Sequence, residues 1–396
     1  MRWIGLDIHV DFCEVAIHEK GATRRAPRVE TSEPALRRFG EQLVPSDTVV
    51  LEATGGAWSI ARLLSEYAEV LVADARPLRA LSQAKAKTDR ADARSLAELG
   101  ARGLLTPVWI ADDLTRVLRR LLARRDQLVR QRCRAKNEVH ATLHRNLLRS
   151  PVSDLFGRRG RRWLAELELP DHERHTVESC LRQVDLIDEE LAAIDRSIAE
   201  QALGDDRIRR LMTIPGVDVV VAAALVATIG EVDRFDDPRK LTSYLGLDPT
   251  VSQSGSEPAR HGRISKQGSS MARRMLVEAA WTASHTPGPL RAFHARIRAR
   301  RGAQIATVAT ARKLATLAWH MLRNEQDYAY ARPSLTRIKL RRLELRCGAP
   351  ALTGKRPPVR IYPTGPQRAA ERAMLEQAEA AYLRLVSDWR STRPRT

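Results

Sequence analysis

The chain has 396 residues, of which 43% are hydrophobic and only 5% aromatic, and its formal net charge is +19. This length allows two or three domains with sizeable cores. No apolar stretch is long enough to span a bilayer, so we expect no membrane association. So large a positive excess favours a polyanionic partner such as nucleic acid.

The four cysteines are widely spaced, and no pair has the spacing of a zinc site or a redox motif. Acidic residues among the first 14 positions rule out the apolar core of a secretory signal. Both observations favour reduced thiols and a cytoplasmic location.

A short apolar run with one carboxylate, WIGLDIHV at residues 3–10, opens the chain. Such a run is typical of a buried strand, where the charge of Asp7 is costly unless something pairs with it. Three other carboxylates could converge on it. Glu52 ends a second apolar run, and Asp89 and Asp92 are spaced to share one face of a helix.

Four carboxylates on a strand–strand–helix frame suit two Mg²⁺ ions. Two such ions, about 4 Å apart, activate one oxygen and stabilise the leaving oxygen at a phosphate. Each acid also has an ordinary interpretation, for example Glu52 as a strand-end residue and Asp89 as a helix N-cap. Asp11, Glu14 and Asp74 have sequence surroundings similar to those of the four acids, so the pattern alone does not separate them from metal ligands.

Strand-like and helix-like runs alternate up to about residue 110, which predicts a layered α/β domain. The predicted strands are 3–10, 12–18, 49–52 and 70–73, and the predicted helices are 33–43, 58–67 and one from about Asp89 to Ala101.

A long basic helix is predicted over residues 112–148, with a leucine stripe and many arginines. Its basic face is either simply solvated or in contact with a nucleic-acid backbone. Arg119, Arg120 and Arg124 are the candidate contacts on this helix.

Residues 174–203 carry a seven-residue apolar repeat, which favours a supercoiled helix pair. We interpret it as a self-association element, with packing inside the same chain as the alternative.

A helix, a Pro215-Gly216 turn and an apolar helix follow from about residue 206, and such a turn can offer N–H groups to a phosphate. Further on, Ser254 lies in a Gly- and Ser-rich loop, and helices are predicted over 271–284 and 290–323. The basic residues that follow the loop serine are expected to contact nucleic acid: Arg260, Arg263, Lys266 and Arg273.

A nucleophilic serine needs a base or a metal to activate it, and no His–Asp pair is recognisable around Ser254. Its basic neighbours would instead stabilise charge on a phosphate. If Ser254 is a nucleophile, its electrophile is therefore a phosphodiester. Ser252 and Ser256 lie close enough to be alternative nucleophiles.

Beyond Tyr328 the chain is rich in proline and arginine, and we interpret it as a partly disordered basic tail with a final helix over 367–389. This tail would either grip nucleic acid or aid solubility.

These motifs together resemble the DEDD transposases of insertion-sequence family one-ten, the Piv-like, bridge-RNA-guided serine recombinases. The order and spacing of the motifs cover about residues 3 to 285. They are GLD at 5–7, LEATG at 51–55, KTDRADA at 87–93, IPGV at 214–217, YLGL at 244–247, QSG at 253–255 and ISKQG at 264–268.

The resemblance implies an α/β RuvC-like (RNase H-type) domain, a coiled coil and a mainly α-helical transposase domain. The corresponding boundaries are 1–150 for the catalytic domain, 151–205 for the coiled coil, 206–328 for the helical domain with the serine loop, and 329–396 for the basic tail.

The resemblance also implies roles for residues and partners. Asp7, Glu52, Asp89 and Asp92 would hold two Mg²⁺ ions, and Ser254 would form a phosphoserine link to DNA. A structured noncoding RNA would pair with donor and target DNA, and homodimers would assemble into a tetramer. The protein would act at the nucleoid of a bacterial cytoplasm.

The sequence leaves two other functions open. One is a RuvC-like, metal-dependent, junction-resolving nuclease in which the serine loop is structural. The other is a nucleic-acid-binding scaffold with a vestigial site.

Overall fold

The computed structural model of the chain describes residues 1–74, 89–255, 257–350 and 363–391. The chain divides into two compact units, 1–112 and 113–396. The first is a mixed α/β unit on a five-stranded sheet and the second is mainly helical, which confirms the coarse architecture predicted from the sequence. No helix within the described ranges is long and apolar enough to cross a membrane.

The sheet of the first unit has the strand order β3-β2-β1-β4-β5. Its first three strands form an antiparallel meander, and β4 and β5 continue the sheet in parallel with β1. The strands are β1 (Trp3–Ile8), β2 (Phe12–Glu19), β3 (Ala22–Glu30), β4 (Thr48–Glu52) and β5 (Glu69–Ala73).

Strand β3 was not predicted, because its sequence ATRRAPRVE is polar and contains a proline. Both features are tolerated on an edge strand, where one side of the backbone is unpaired. An edge position is where β3 lies.

Helices cover both faces of the sheet. One face packs its apolar residues, such as Ile4 and Leu6, against α1 (Glu33–Gly40) and α2 (Ala57–Leu64). The opposite face packs against α3 (Asp89–Ala101), which Gly5 allows to come very close. A Cβ at Gly5 would collide with the Ala93 carbonyl and lie 2.8 Å from the Ala97 nitrogen.

The second unit begins with α4 (Asp113–Arg145), α5 (Arg158–Glu166) and α6 (Asp171–Leu203). The seven-residue repeat lies on α6, and its apolar face is largely buried against α4 and α5 of the same chain. Arg125–Asp195 and Arg132–Asp188 ion pairs, each at 2.6 Å, join α6 to α4. Packing within the chain, the alternative from the sequence, therefore accounts for the repeat without a second subunit.

The remaining core surrounds α8 (Val219–Ile229), a helix that is apolar on every side and all of whose residues are buried. A single helix was predicted over 290–323, but the chain turns at Gly302, which has a φ of +83°. The elements are α7 (Asp206–Leu211), α8 (Val219–Ile229), a 3₁₀ turn (Val232–Arg234), α9 (Pro238–Tyr244), the hairpin strands β6 (Pro249–Ser252) and β7 (Arg260–Ile264), α10 (Ser270–His285), α11 (Pro289–Arg301) and α12 (Ala303–Arg323).

The described part of the C-terminal region is helical rather than an irregular tail. The sequence predicted α14 (Gly365–Ser391) but not α13 (Pro333–Arg346), whose many arginines hide its apolar face. Leu343 of α13 is buried in the main core of the second unit. Glu379 of α14 pairs with Arg291 of α11 at 2.7 Å.

The predicted helix–turn–helix around Pro215 is present, but its turn is buried. The ammonium of Lys339 donates hydrogen bonds of 2.7–2.8 Å to the carbonyls of Met212, Ile214 and Val217. Gly216 packs against the backbone of Ala279. A turn enclosed in this way offers no open concave surface to a phosphate, so the expected phosphate contact is not supported.

Candidate active site

Two of the predicted acids lie at the carboxyl ends of the neighbouring parallel strands β1 and β4. Asp7 lies near the end of β1 and Glu52 ends β4. In the parallel register of these strands, each acid directly follows the last paired residues. The face of β1 that carries Asp7 also packs against α3, whose first turn contains Asp89 and Asp92.

A tight cluster forms around a residue that sequence reasoning missed, His9. Its Nε2 lies 3.1 Å from Oδ2 of Asp7 and 3.5 Å from Oδ2 of Asp89. One potential ligand atom from each of these three residues lies within 4.8 Å of the others. Glu52 and Asp92 are not members of this three-residue group. The missed signal was the Asp-x-His spacing, which puts two side chains on one face of a strand.

The cluster is electrostatically unfavourable for a carboxylate. Burial raises the pKa of Asp7 above its ordinary value, and the charges of Asp92 and Asp89 raise it further, while His9 lowers it. The effect of Asp92 indicates that this acid is near Asp7 as well. Crowded carboxylates disfavour one another's charged form unless a cation is bound among them.

This donor set fits a divalent cation. Carboxylate oxygens are the ligands that Mg²⁺ prefers, whereas imidazole nitrogen suits transition metals better. Asp7 and Asp89 are therefore the stronger candidates for direct ligands. His9, hydrogen-bonded to Asp7, is placed to orient the carboxylates.

The predicted nucleophile, Ser254, lies in the loop between β6 and β7 in the second unit, and its side chain is exposed. Gly255 follows it in the left-handed region, with a φ of +56°. Among the described residues the Ser254 hydroxyl has no hydrogen-bond partner. Of the alternatives, Ser252 ends β6, and Ser256 lies outside the described residues.

A shallow cavity of about 210 Å³ lies beside this serine. Its lining includes Ser252, Ser254, Glu257 and Arg260. The guanidinium of Arg260 is paired with Glu257 at 3.0 Å but is 79% exposed, so it remains accessible to a larger anion.

The other basic residues after the loop differ in their surroundings. Arg263 and Lys266 are exposed. Arg273 instead donates to the carbonyls of Leu245 (3.0 Å) and Gly268 (3.1 Å), and burial lowers its pKa. Arg273 thus ties the segment after β7 to the end of α9.

The three arginines predicted on α4 also differ. Arg120 and Arg124 are exposed. Arg119 donates a 2.7 Å hydrogen bond to the Ala227 carbonyl near the end of α8, so it has a structural contact within the unit.

Comparison with known proteins gives two family matches. A model for DEDD transposases of IS110, described as "Transposase", matches residues 4–146 and so includes Asp7, Glu52, Asp89 and Asp92. A second model, "Transposase IS116/IS110/IS902 family", matches residues 208–295, which contain the serine loop.

Individual relatives match over most of their length. The chain is 28% identical to a probable family 20 transposase of Pseudomonas aeruginosa, over 82% of this chain and 98% of the relative. It is 27% identical to the transposase for insertion sequence element IS1111A of Coxiella burnetii (83% and 91%). It is 26% identical to the transposase for IS1328 of Yersinia enterocolitica (80% and 95%).

The first family match contains the acidic site of the first unit, and the second contains the serine loop of the second unit. With relatives that match over more than nine-tenths of their length, they identify the chain as a member of the IS110 family of DEDD transposases.

Proposed function

We propose that this transposase cuts and rejoins DNA by a divalent-metal-dependent reaction at the Asp7 cluster together with Ser254. One observation supports the requirement for metal. Potential ligand atoms of Asp7, His9 and Asp89 lie within 4.8 Å of one another at the carboxyl end of β1. Asp7, Glu52, Asp89 and Asp92 would hold the metal, with two Mg²⁺ ions as the expected number.

The bound metal would supply Lewis acidity at the scissile phosphate. The residues of the chain orient the reactants. His9 holds Asp7 by a 3.1 Å hydrogen bond, and the close fit of α3 at Gly5 holds Asp89 and Asp92 toward the same sheet face.

The role of Ser254 as nucleophile is supported by its exposure and by the absence of a competing partner among the described residues. In the proposed step the Ser254 oxygen forms a bond to phosphorus while one phosphorus–oxygen bond to deoxyribose breaks. The hydroxyl proton is lost, and the departing deoxyribose oxygen gains one. Arg260, Arg263 and Lys266 would stabilise the phosphate charge.

The finer structural and partner assignments belong to the same proposal. The order β3-β2-β1-β4-β5, with a three-stranded meander followed by two parallel strands, supports a RuvC-like (RNase H-type) fold for the first unit. Guidance by a structured noncoding RNA, a homodimer that assembles into a tetramer, and a coiled coil at 151–205 rest on the family resemblance. The exposed Arg120 and Arg124 are proposed nucleic-acid contacts, whereas Arg119 and Arg273 would act through the segments that they hold.

The test compares three variants on DNA that carries the ends of the element, with co-purified RNA and Mg²⁺. Ser254→Ala should abolish the covalent protein–DNA adduct detected by denaturing gel, whereas the matched control Ser252→Ala should retain it. Asp7→Asn should abolish strand cleavage. An adduct at the wild-type level with Ser254→Ala would overturn the assignment of the nucleophile.

A second candidate, a metal-dependent nuclease with a structural serine, is favoured by one observation: no described base is hydrogen-bonded to Ser254. It requires Ser254→Ala to cleave DNA at the wild-type rate while Asp7→Asn does not. The same assay therefore separates the two functions.

A further inference from the structure

A buried carboxylate lies directly beside the acidic cluster on the next strand. In the antiparallel register of β1 and β2, Glu14 is opposite Asp7. Opposed side chains on neighbouring strands have Cβ atoms about 4.5–5.5 Å apart, and like charges there repel. Glu14 is only 1% exposed, so its charge needs partners.

Two arginines of the edge strand β3 supply those partners. The guanidinium of Arg28 is 2.6 Å from Oε1 of Glu14, and that of Arg25 is 3.6 Å from Oε2. Both arginines remain about half exposed, at 47% and 51%. Glu14 therefore fixes two cations at the surface immediately next to the proposed metal site.

A groove of about 200 Å³ opens at this place between the outer strands and α3, with Glu14 in its lining. Its basic lining side chains are those of Arg25, Arg90 and Arg94; Arg24 also borders it, but Arg24 is opposite Ile17, on the other face of the sheet. Arg94 pairs with Glu98 of its own helix at 2.7 Å and is still 64% exposed. Arg90 is exposed and forms no ion pair with any residue in the described ranges.

The charge balance of this groove is unlike that of an ordinary ion-paired surface. Arg25, Arg28, Arg90 and Arg94 lie around Glu14 and Glu98, so four cations face two carboxylates and the positive charge exceeds what the fold itself neutralises. Planar guanidinium groups match phosphate oxygens in a bidentate manner. The groove is also on the same face of the sheet as Asp7, one strand further toward the edge.

We propose that this arginine groove binds the sugar-phosphate backbone of the DNA strand whose scissile phosphate lies at the Asp7–His9–Asp89 cluster. The inference rests on the proposed function and adds to it the path of the strand: across β2 toward β3, along α3. Arg90 and Arg94 contact phosphates directly, while Glu14 positions Arg25 and Arg28.

The test uses the full chain in EDTA, so that binding is measured without cleavage. Fluorescence anisotropy of a labelled 20-nucleotide single DNA strand is recorded from low to high KCl for wild type, the double variant R90A/R94A and the control R38A. Arg38 is an exposed arginine on α1, which covers the opposite face of the sheet.

Each lost phosphate contact reduces the steepness of log K against log salt by about 0.7 for a single strand. R90A/R94A should therefore lose about 1.4 units of slope and bind about tenfold more weakly at 0.1 M KCl. R38A should bind like wild type. Equal binding by R90A/R94A and wild type, or equal losses in R90A/R94A and R38A, would overturn the groove assignment.

An RNA strand of the same sequence is measured in parallel, because RNA carries the same phosphodiester. Arginine-dependent binding of RNA alone would overturn the assignment to DNA. Cleavage by wild type in Mg²⁺ tests the proposed function separately from the groove assignment. Cleavage by wild type with unchanged binding by R90A/R94A overturns only the groove, whereas weakened binding by R90A/R94A without wild-type cleavage overturns only the proposed function.

Discussion

Lys339 is a buried cation whose partners are all backbone carbonyls. Three acceptors surround its Nζ, which matches the three N–H donors of an ammonium group. Burial nevertheless lowers its pKa to about 8, against a smaller opposite effect of Asp218. The three hydrogen bonds thus stabilise the Lys339 ammonium, while its desolvation opposes the charged form.

We expect Lys339→Met to lower the free energy of unfolding at pH 7 by about 1–3 kcal/mol, because three buried carbonyls lose their donor. The effect of pH has a definite sign. The pKa of Lys339 in the folded chain lies below the ordinary value of 10.5, so the cost of burying the charge is fully present below about pH 8.

Between pH 8 and 10.5 the unfolded chain binds more protons at this lysine, so wild-type stability should rise relative to Lys339→Met. The ceiling is about 3.5 kcal/mol, at about 1.4 kcal/mol per pKa unit over the 2.5 units between 8 and 10.5. Urea denaturation of both proteins from pH 7 to 10.5 measures the difference, and a difference that is flat or falling across this range contradicts the prediction.

At this scale the sequence predicted the acids better than their neighbours. Asp7 could be selected because a lone carboxylate in an apolar strand requires a partner. His9 and Glu14 could not be assigned in the same way, since their roles depend on contacts with Asp89, Arg25 and Arg28, which are distant in sequence or on an unpredicted strand.

At the scale of elements, small residues decide how closely α3 approaches the sheet. Ala93 and Ala97 of α3 pack against Ala16 of β2 in one buried cluster, and Gly5 of β1 meets the α3 backbone directly. The first turn of that helix carries Asp89 and Asp92. The geometry of the acidic site is therefore set by packing one to three turns away from it.

We expect Gly5→Ala to abolish metal-dependent cleavage and to destabilise the protein by about 1–3 kcal/mol, as overpacking does in a filled core. The added methyl group would collide with backbone atoms of Ala93 and Ala97, which cannot move without the helix. Cleavage rate and thermal denaturation are the measurements. Gly204→Ala is the control, because its Cβ would meet nothing within 4 Å; normal cleavage by Gly5→Ala would contradict the prediction.

The elements also mark the limit of prediction from sequence. Strong apolar patterns gave α4 and α6 with bounds close to those observed, and they also predicted the apolar helix α8. The patterns failed for β3 and α13, whose exposed faces are dense in arginine. The repeat on α6 predicted a partner helix correctly, but periodicity alone could not tell α4 of the same chain from a second copy.

At the scale of the whole molecule, two kinds of charge have separate tasks. Asp7 and Asp89, the stronger candidate metal ligands, lie together with His9 in the first unit. The excess positive charge, +19 in all, is carried by the second unit, because residues 1–112 have 15 Lys and Arg against 16 Asp and Glu. Binding and catalysis should consequently respond differently when divalent metal is removed.

We expect EDTA to abolish cleavage while changing the affinity for DNA by less than about threefold, because phosphate contacts by arginine supply the affinity. Gel-shift titration and a cleavage assay on the same samples test this, with restored Mg²⁺ as the control. A loss of affinity of about tenfold in EDTA would mean that metal bridges protein and DNA in the bound state.

The lysine that encloses the Pro215 turn has a consequence for the order of events during synthesis. The three carbonyls leave the ribosome more than 120 residues before the ammonium group that binds them. Until α13 has emerged, the carbonyls of the Pro215 turn lack the ammonium group that binds them. A chain interrupted shortly after Tyr328 would thus expose an incomplete core to proteases. Only a transposase translated well past its serine loop would resist proteolysis.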